Sequence, residues 1–426
     1  MQSRPGNNVQ EQGKETRFRA KPFPVFAVLS ALFALSMFLR VSTGIIAPEL
    51  ARDLNLSAAS LGFLGGCFFY SFAFMQIPMG PLLDIVGPRT VMALFVLTGA
   101  VGSFVFAASN SFLGACVGRI LMGVGMASVL MASFKVFTLR FPANRFATLA
   151  GMIVTAGALG NLVAATPLAW LSDAMGWRKT FVLAGAVTAA LGVTAWLLLK
   201  DDEPGQTAEG TGIREKVSFW SSLRLVMGTL SFWQISSAAF FRYGTFVSLQ
   251  GLWLGLYLMD VRGLTPIKAG NTIALLAIGN SIGSPLAGRI ADLHPGSTKR
   301  VALVGLSLYG LSLAPLMGFV PLHNPLFYAI VCFFLGFFHS FGTLLYAHSK
   351  ELFPIEIAGT AMASVNFFIM AGGAVFMQFI GILIDVFPHS GHSYPPFAYH
   401  LAFLVCFLSM AFSLAFYAFS RPGNRA

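Results

Sequence analysis

The chain has 426 residues, of which 56% are hydrophobic and only 10% are charged, whereas a soluble domain usually has about 25% charged residues. This composition excludes a large soluble protein. Apolar stretches of about 20 residues, the length that spans a bilayer, recur along the chain, so we expect an all-α polytopic membrane protein. A net charge of +11 would suggest nucleic-acid binding in a soluble protein, but in a membrane protein it usually reflects cytoplasmic Lys and Arg.

The chain divides into two groups of apolar segments. Residues 1–22 form a polar, basic tail that we expect to be disordered, residues 200–230 form a hydrophilic central loop, and residues 420–426 form a short C-terminal tail. Between them lie two predicted six-helix bundles, 23–199 and 231–419. The twelve predicted spans are 23–47, 59–81, 91–108, 111–134, 147–171, 180–199, 231–257, 267–288, 301–320, 325–347, 358–385 and 398–419.

The distribution of basic residues predicts the orientation. With the N-terminus in the cytoplasm, 19 of the 27 Lys and Arg residues fall in cytoplasmic segments, 4 fall outside and 4 fall within spans. An excess of Lys and Arg marks the cytoplasmic side. We therefore expect a multi-pass protein of the cell (inner) membrane with both termini in the cytoplasm.

The four cysteines all lie in predicted spans, where thiols usually behave as small hydrophobic groups. The sequence has no disulfide framework or metal-ligand spacing, and no nucleophile with a matching base. We therefore predict no cofactor, no metal and no enzymatic activity.

The two halves contain an internal repeat. Ser57, Gly62, Gly80 and Asp84 recur as Thr265, Gly270, Gly288 and Asp292 at an offset of 208, as does Gly151 as Gly359, while Phe141–Pro142 recurs as Phe353–Pro354 at an offset of 212. A constant offset over several positions predicts two pseudosymmetric halves, an arrangement in which transporters bind substrate at the repeat interface near the midplane.

A charged turn follows the second span, with the sequence Gly80-Pro-Leu-Leu-Asp84-Ile-Val-Gly87-Pro-Arg89. Together with the repeat, it resembles the loop motif of the major facilitator superfamily. Arg119 with the following Gly123 and Gly125, and the fifth-span Gly151, Gly157 and Gly160, are similar to further motifs of that superfamily. The resemblance implies gating roles for Asp84, Arg89 and Asp292. The second copy has Ser297 where the first has Arg89, so we expect its gate to be less charge-locked.

Within the superfamily, the first half resembles the organic-anion branch, the anion:cation symporters. The similarity rests on Arg40 with Ala47-Pro-Glu-Leu50, on Leu56-Ser-Ala-Ala59, on residues 68–80 and on Gly176-Trp-Arg178. In that branch the arginine of the first helix, here Arg40, meets the carboxylate or phosphate of the substrate. Leu39 and Met126 stand where the branch often has acids, and Tyr70 is displaced, with Phe72 in its usual place. These departures put proton coupling through the family's acids in doubt.

The ionisable residues inside the spans point to anions independently of the resemblance. Such residues are costly in a bilayer and usually serve function; here the candidates are Arg40, Arg119, Arg242 and His339, with Lys135 just past the cytoplasmic end of the fourth span. All 16 Asp and Glu residues lie in tails, loops or span ends. A cationic cavity without counter-charge favours an anionic ligand, and arginine suits bidentate recognition of carboxylate or phosphate.

We predict that Arg40 and Arg242 clasp the substrate between the halves, with bonding to helix carbonyls as the alternative. Arg119 either contacts substrate or packs, Lys135 snorkels to the membrane surface, and His339 either carries a coupling proton or packs as a neutral ring. The other predicted substrate-binding residues, which would orient and enclose the ligand, are Tyr70, Tyr243, Asn280 and Asn366.

These features predict a secondary active transporter of a small organic anion, working by alternating access, with proton symport as the leading coupling mode and facilitated diffusion or anion exchange left open. The expected partners are the anion, protons and membrane lipid, with no nucleic acid, and the expected state is a monomer. The alternatives are an exporter of drugs or metabolites and a non-transporting receptor or sensor.

Overall fold

The computed structural model describes residues 22–141, 145–199, 219–293, 296–318, 324–388 and 393–422. The predicted tails and most of the central loop lie outside these ranges. The helices are α1 Pro22–Val41, α2 Thr43–Leu54, α3 Ala58–Ile85, α4 Pro88–Ala108, α5 Phe112–Met126, α6 Val129–Arg140, α7 Phe146–Val163, α8 Thr166–Met175, α9 Trp177–Leu198, α10 Phe219–Met227, α11 Leu230–Ser248, α12 Leu254–Asp260, α13 Pro266–Leu293, α14 Thr298–Ser312, α15 Pro325–His339, α16 Leu344–Leu352, α17 Ile355–Asp385 and α18 Pro396–Ala418.

The described helices confirm an all-α polytopic membrane fold, although the count of twelve spans is not fully reproduced. Within the described ranges, 10 helical segments are long and apolar enough to cross a membrane, and α7 with α8, bent by 42°, supplies an eleventh. The seventh predicted span, 231–257, does not meet this test. It consists of α11, a π-helical turn at Leu249–Trp253 and α12, and it carries Arg242 and several other polar residues.

Breaks in the helices follow the internal repeat. The first span breaks at Ser42, between α1 and α2, and the π-helical turn of the seventh span contains Gln250, at an offset of 208. The fourth span breaks between α5 and α6, around Ser128, and the tenth is interrupted by a 3₁₀ turn that begins at Ser340, at an offset of 212. The repeated sequence positions therefore correspond to repeated structure.

The two bundles touch at one end of the molecule, which we call the far side because it is opposite the start of α1. There Gly44 packs against the backbone of Gly251, and Gly62 packs against the backbone of Met377. Thr166 donates a 2.5 Å hydrogen bond from its hydroxyl to Asn271 Oδ1, which joins α8 to α13. The far side is closed by contacts between α2, α3 and α8 of the first bundle and the second bundle.

At the other end, which we call the tail side, four glycines have open space around them. Gly80, Gly151, Gly288 and Gly359 lie towards this end, and no described atom lies within 4 Å of the position that a Cβ would occupy on any of them. They are two pairs of repeat-related positions. The far side is therefore closed by contacts between the bundles, whereas these four tail-side positions have open space around them.

Close helix packing requires glycine at Gly160 in α7. A Cβ at this position would overlap the carbonyl of Ala34 in α1, so the two backbones would have to separate. We expect Gly160→Ala to destabilise the protein by about 1–3 kcal/mol, as overpacking of a close contact does, and to lower the melting temperature in detergent.

Gly151→Ala is the matched control, because Gly151 lies in the same helix with open space around it. Alanine is the better helix former by about 1 kcal/mol, so this variant should melt at or above the temperature of the unmodified protein. Equal losses in the two variants would contradict the packing argument.

Candidate functional site

Two buried arginines, one from each bundle, both lie near Tyr346. Arg40 is in the last turn of α1, immediately before the break, and Arg242 is in α11. Their exposed fractions are 6% and 4%. Among the described residues neither forms an ion pair with a carboxylate.

Arg40 links the two bundles. Its Nη1 donates a 2.9 Å hydrogen bond to the hydroxyl of Tyr243 in α11, and its guanidinium lies 4.7 Å from the centre of the Phe72 ring. Its Nε is buried and has no described partner. Phe72, which stands where the organic-anion branch has a tyrosine, thus supports the arginine by a cation–π contact rather than by a hydroxyl.

Arg242 is held against the interruption of the tenth span. Its Nη1 donates a 3.0 Å hydrogen bond to the carbonyl of His339, a group that faces the 3₁₀ turn rather than a regular helix. The guanidinium lies directly on Gly342, where any Cβ would overlap it. The interruption and the glycine together make room for the arginine.

Neither Arg40 nor Arg242 uses all of its donors within the described protein. Each has one terminal nitrogen in a hydrogen bond and no described acceptor for the other. Since a guanidinium has five N–H groups in a planar fork, both arginines keep donors for a ligand.

Arg119 is arranged differently, although it is also buried. It has no exposed surface, and its Nη1 and Nη2 donate to the carbonyls of Leu39 and Arg40 at 2.7 and 3.4 Å. These carbonyls are at the end of α1, where the break removes their helical partners. Arg119 therefore stabilises the turn that carries Arg40, and both of its terminal nitrogens are engaged.

His339 lies beside Arg242 in a defined orientation. Its ring is stacked on Phe246, with ring centres 3.6 Å apart and an angle of 9° between the planes. Nδ1 is 3.1 Å from Asn280 Oδ1. An amide oxygen only accepts, so Nδ1 carries the hydrogen in this contact, and Nε2 is buried without a described partner.

The remaining predicted substrate residues are divided between the cavity and the bundle interface. Asn366 Oδ1 accepts a 2.8 Å hydrogen bond from the hydroxyl of Tyr346. Tyr70, in α3, is 37% exposed and donates a 2.7 Å hydrogen bond to Gln378 Oε1 in α17. Tyr70 thus joins the two bundles.

Tyr346 belongs to the site but has no distinguishing signal in the sequence. It is close enough to both Arg40 and Arg242 to interact electrostatically with their charges, and it is also bonded to Asn366. The four residues therefore converge on one region. Only its position on a helix facing the arginines, known from the fold, identifies this tyrosine among the 9 in the chain.

The predicted gating residues are at the tail side. The side chain of Asp84 lies outside the described part of the structure. Arg89 Nε donates a 2.9 Å hydrogen bond to the carbonyl of Trp196 at the end of α9, and its guanidinium stacks 4.6 Å from the Trp196 ring. Asp292 is exposed near the end of α13.

The second bundle has a contact equivalent to the Arg89–Trp196 bond, which we call a basic clamp, but it comes from a different sequence position. Lys299 Nζ donates a 2.8 Å hydrogen bond to the carbonyl of Ala418 at the end of α18 and another to the carbonyl of Ser420. Position 297, the repeat equivalent of Arg89, is a serine, but the basic residue two positions later joins the corresponding helices. The second half therefore keeps a basic clamp that the comparison at Ser297 missed.

Comparison with known proteins agrees with this fold. The chain matches the Major Facilitator Superfamily over residues 28–377 and 252–425. Among solved structures, a bacterial homolog of the human lysosomal transporter Spinster, in an inward-facing and unoccupied conformation, has a TM-score of 0.76 at 17% identity, covering 93% of this chain and 97% of that one. A D-xylose–proton symporter has a TM-score of 0.74 at 13% identity, with 95% and 98% covered.

Two curated relatives are named as probable transporters of organic anions. A probable galactarate/D-glucarate transporter, GudP of Bacillus subtilis (strain 168), is 24% identical over 399 residues, 85% of this chain and 84% of that one. A probable sulfoacetate transporter, SauU of Cupriavidus necator, is 24% identical over 383 residues, with 85% and 87% covered. The chain therefore belongs to the Major Facilitator Superfamily, whose members are membrane transporters and not enzymes.

Proposed function

We propose that this protein is a secondary active transporter of a small organic anion that bears carboxylate or a similar oxyanion. One observation carries the proposal: two buried guanidinium groups from opposite bundles, both near Tyr346 and without carboxylate partners among the described residues, keep unused donors. A buried, uncompensated charge is strongly disfavoured. An oxyanion that bridges Arg40 and Arg242 relieves this cost with charge-assisted hydrogen bonds.

The substrates for which these relatives are named support the same class. Galactarate, glucarate and sulfoacetate are all small anions. In the proposed site Tyr243, Tyr346, Asn280 and Asn366 orient the anion, while Arg119 acts as a positioning residue that fixes the turn carrying Arg40.

The geometry of the two ends supports alternating access. We infer that the tail side is cytoplasmic, since the basic residues concentrate there, and that the structure represents the inward-open state. In the outward-open state the far-side contacts separate, and the glycines Gly80 and Gly151 approach their counterparts in the second bundle. The bond between Tyr70 and Gln378 joins the bundles and stabilises the state described here. Arg89 and Lys299 each stabilise the tail side of their own bundle during the cycle.

Proton symport is the proposed mode of energy coupling, and His339 is the proposed carrier. Its Nε2 is buried beside Arg242 without a described partner, so the charge state of the ring acts directly on the arginine that holds the anion. Uniport, anion exchange, export and a receptor role without transport are the alternative outcomes of the experiments below.

Arg40→Ala and Arg242→Ala should each lower anion affinity about 10- to 100-fold, the equivalent of losing a hydrogen bond to a charged group worth about 1.5–3 kcal/mol. The measurement is uptake into proteoliposomes of galactarate, glucarate, glucuronate and sulfoacetate. Arg52→Ala is the control, since its side chain is 73% exposed on the far side. Unchanged uptake of every transported anion by a folded double variant would refute the proposed site.

A pH gradient, acid outside, should drive accumulation of the anion if protons are coupled to transport. His339→Gln should abolish this accumulation but retain exchange of labelled for unlabelled anion, because both arginines stay in place. Accumulation by the variant at the native level would exclude His339 as the carrier. Native uptake that ignores the gradient would indicate uniport or exchange.

A further inference from the structure

A small cavity of about 100 Å³ lies in the closed far side, at the seam between the two bundles. The first bundle contributes Pro48, Ala51 and Ala58 to its wall, and the second contributes Trp253, Tyr394 and Tyr399. The walls are mostly apolar. The remaining feature is a single carboxyl group, that of Asp260.

Asp260 is the last residue of α12, beyond residue 257, where the seventh predicted span ends. Its Oδ2 accepts a 2.7 Å hydrogen bond from the hydroxyl of Tyr399. Burial raises the pKa of the Asp260 carboxyl, and the Tyr399 hydrogen bond opposes this shift in part. The carboxylate lacks a described cationic partner, so its charged form is poorly compensated while the seam is closed.

A hydrogen-bond chain crosses the seam next to this group. The backbone N–H of Ala58, at the start of α3, donates a 2.8 Å bond to the hydroxyl of Tyr394. That hydroxyl donates a 2.7 Å bond to Asp385 Oδ1 at the end of α17. The first bond joins opposite bundles, so opening the far side must break it and admit water to the cavity wall that contains Asp260.

We propose that Asp260 is a protonation site that makes closure of the far side dependent on pH. Closing the seam removes water from the carboxyl and takes up a proton, and opening it hydrates the carboxylate and releases that proton. The proposal rests on the proposed alternating access. It is distinct from proton symport, because the group faces the far side and does not cross the membrane.

The direction of the effect follows from linkage. The Asp260 carboxyl binds a proton more tightly in the closed state than in the open state, so acid stabilises the closed seam. This stabilisation is lost as the pH rises through the closed-state pKa. Because one proton is involved, the ratio of open to closed molecules changes by at most about tenfold per pH unit.

Other titratable groups surround the cavity and define the controls. Asp385 is bonded to Tyr394, and Arg262 is bonded to the hydroxyl of Tyr257. The Tyr257 ring packs edge-on against the rings of Tyr399 and His400. On α2, Glu49 accepts hydrogen bonds from Ser172, and Asp53 is held by Trp177 and Arg178. These bonds to Trp177 and Arg178 lower the pKa of Asp53, which keeps that carboxylate charged under mildly acidic conditions.

The test measures opening of the seam with a cysteine at Ala51, which is 3% exposed and lines the cavity. A hydrophilic methanethiosulfonate reagent labels Ala51→Cys in detergent-solubilised full-length protein from about pH 8 to about pH 5. Arg52→Cys, the exposed neighbour, corrects for the pH dependence of thiol reactivity. The four native cysteines are buried, and the protein without an added cysteine gives the background.

We expect the corrected labelling rate of Ala51→Cys to fall at least about threefold between pH 8 and pH 5. With Asp260→Asn added, the rate should be independent of pH. Tyr399→Phe removes the hydrogen bond that favours the carboxylate, so it should move the midpoint to higher pH. It serves as the second variant if the asparagine substitution prevents folding.

Two results would overturn the proposal. One is a corrected rate that does not change with pH in the protein with native Asp260, although labelling shows that the seam opens; alternating access would then survive. The other is a labelling rate that depends on pH in both the Asp260→Asn and the Tyr399→Phe variants just as it does in the protein with both native residues. That result would assign the effect to groups such as Asp385 or His400. Absence of labelling at every pH would contradict the proposed alternating access together with the inference.

Discussion

The site depends on one constraint: a break in a transmembrane helix leaves backbone carbonyls without helical partners, and the bilayer supplies no water to replace them. This protein breaks its first, fourth and tenth spans beside the cavity. Arg119 bonds to the carbonyls before the first break, and Arg242 bonds to the carbonyl before the tenth-span interruption. Arg119 and Arg242 therefore stabilise the fold whether or not a ligand is bound.

The two repeats satisfy this constraint with different side chains. Ala127 and His339 are equivalent at an offset of 212, and each presents a carbonyl at a helix break. In the first bundle Gln76 Nε2 donates to Ala127 at 3.3 Å, whereas in the second bundle Arg242 donates to His339. A neutral amide and a guanidinium thus each donate a hydrogen bond to the backbone carbonyl at a helix break. The guanidinium also introduces a positive charge and further donors, so divergence between the halves made one side of the cavity cationic.

Long apolar runs and their spacing were enough to predict the membrane fold, the two bundles and the positions of the embedded arginines. The roles of the arginines required the structure, because Arg119 and Arg242 look alike in sequence: each is a single cation in an apolar span. What separates them is which carbonyls lie nearby and how many donors remain. The helix breaks at Ser42, Ser128 and Ser340 could not be predicted from proline, because none of these positions is a proline. The sequence comparison missed Lys299 because this residue lies two positions from the repeat equivalent of Arg89. It missed Tyr346 because the partners of that residue come from other helices.

In the proposed transport mechanism, the bond between Arg40 and Tyr243 connects the binding of an anion to the relative movement of the bundles. In the described state this bond is a neutral–charged contact across the cavity. A substrate oxyanion is a stronger acceptor for a guanidinium than a phenol hydroxyl, so binding replaces this link with one through the substrate to Arg242. A ligand shifts a conformational equilibrium only as far as its affinities for the two states differ. Because the substituted bond is one that joins the bundles, the difference in affinity arises at the place where the two halves move.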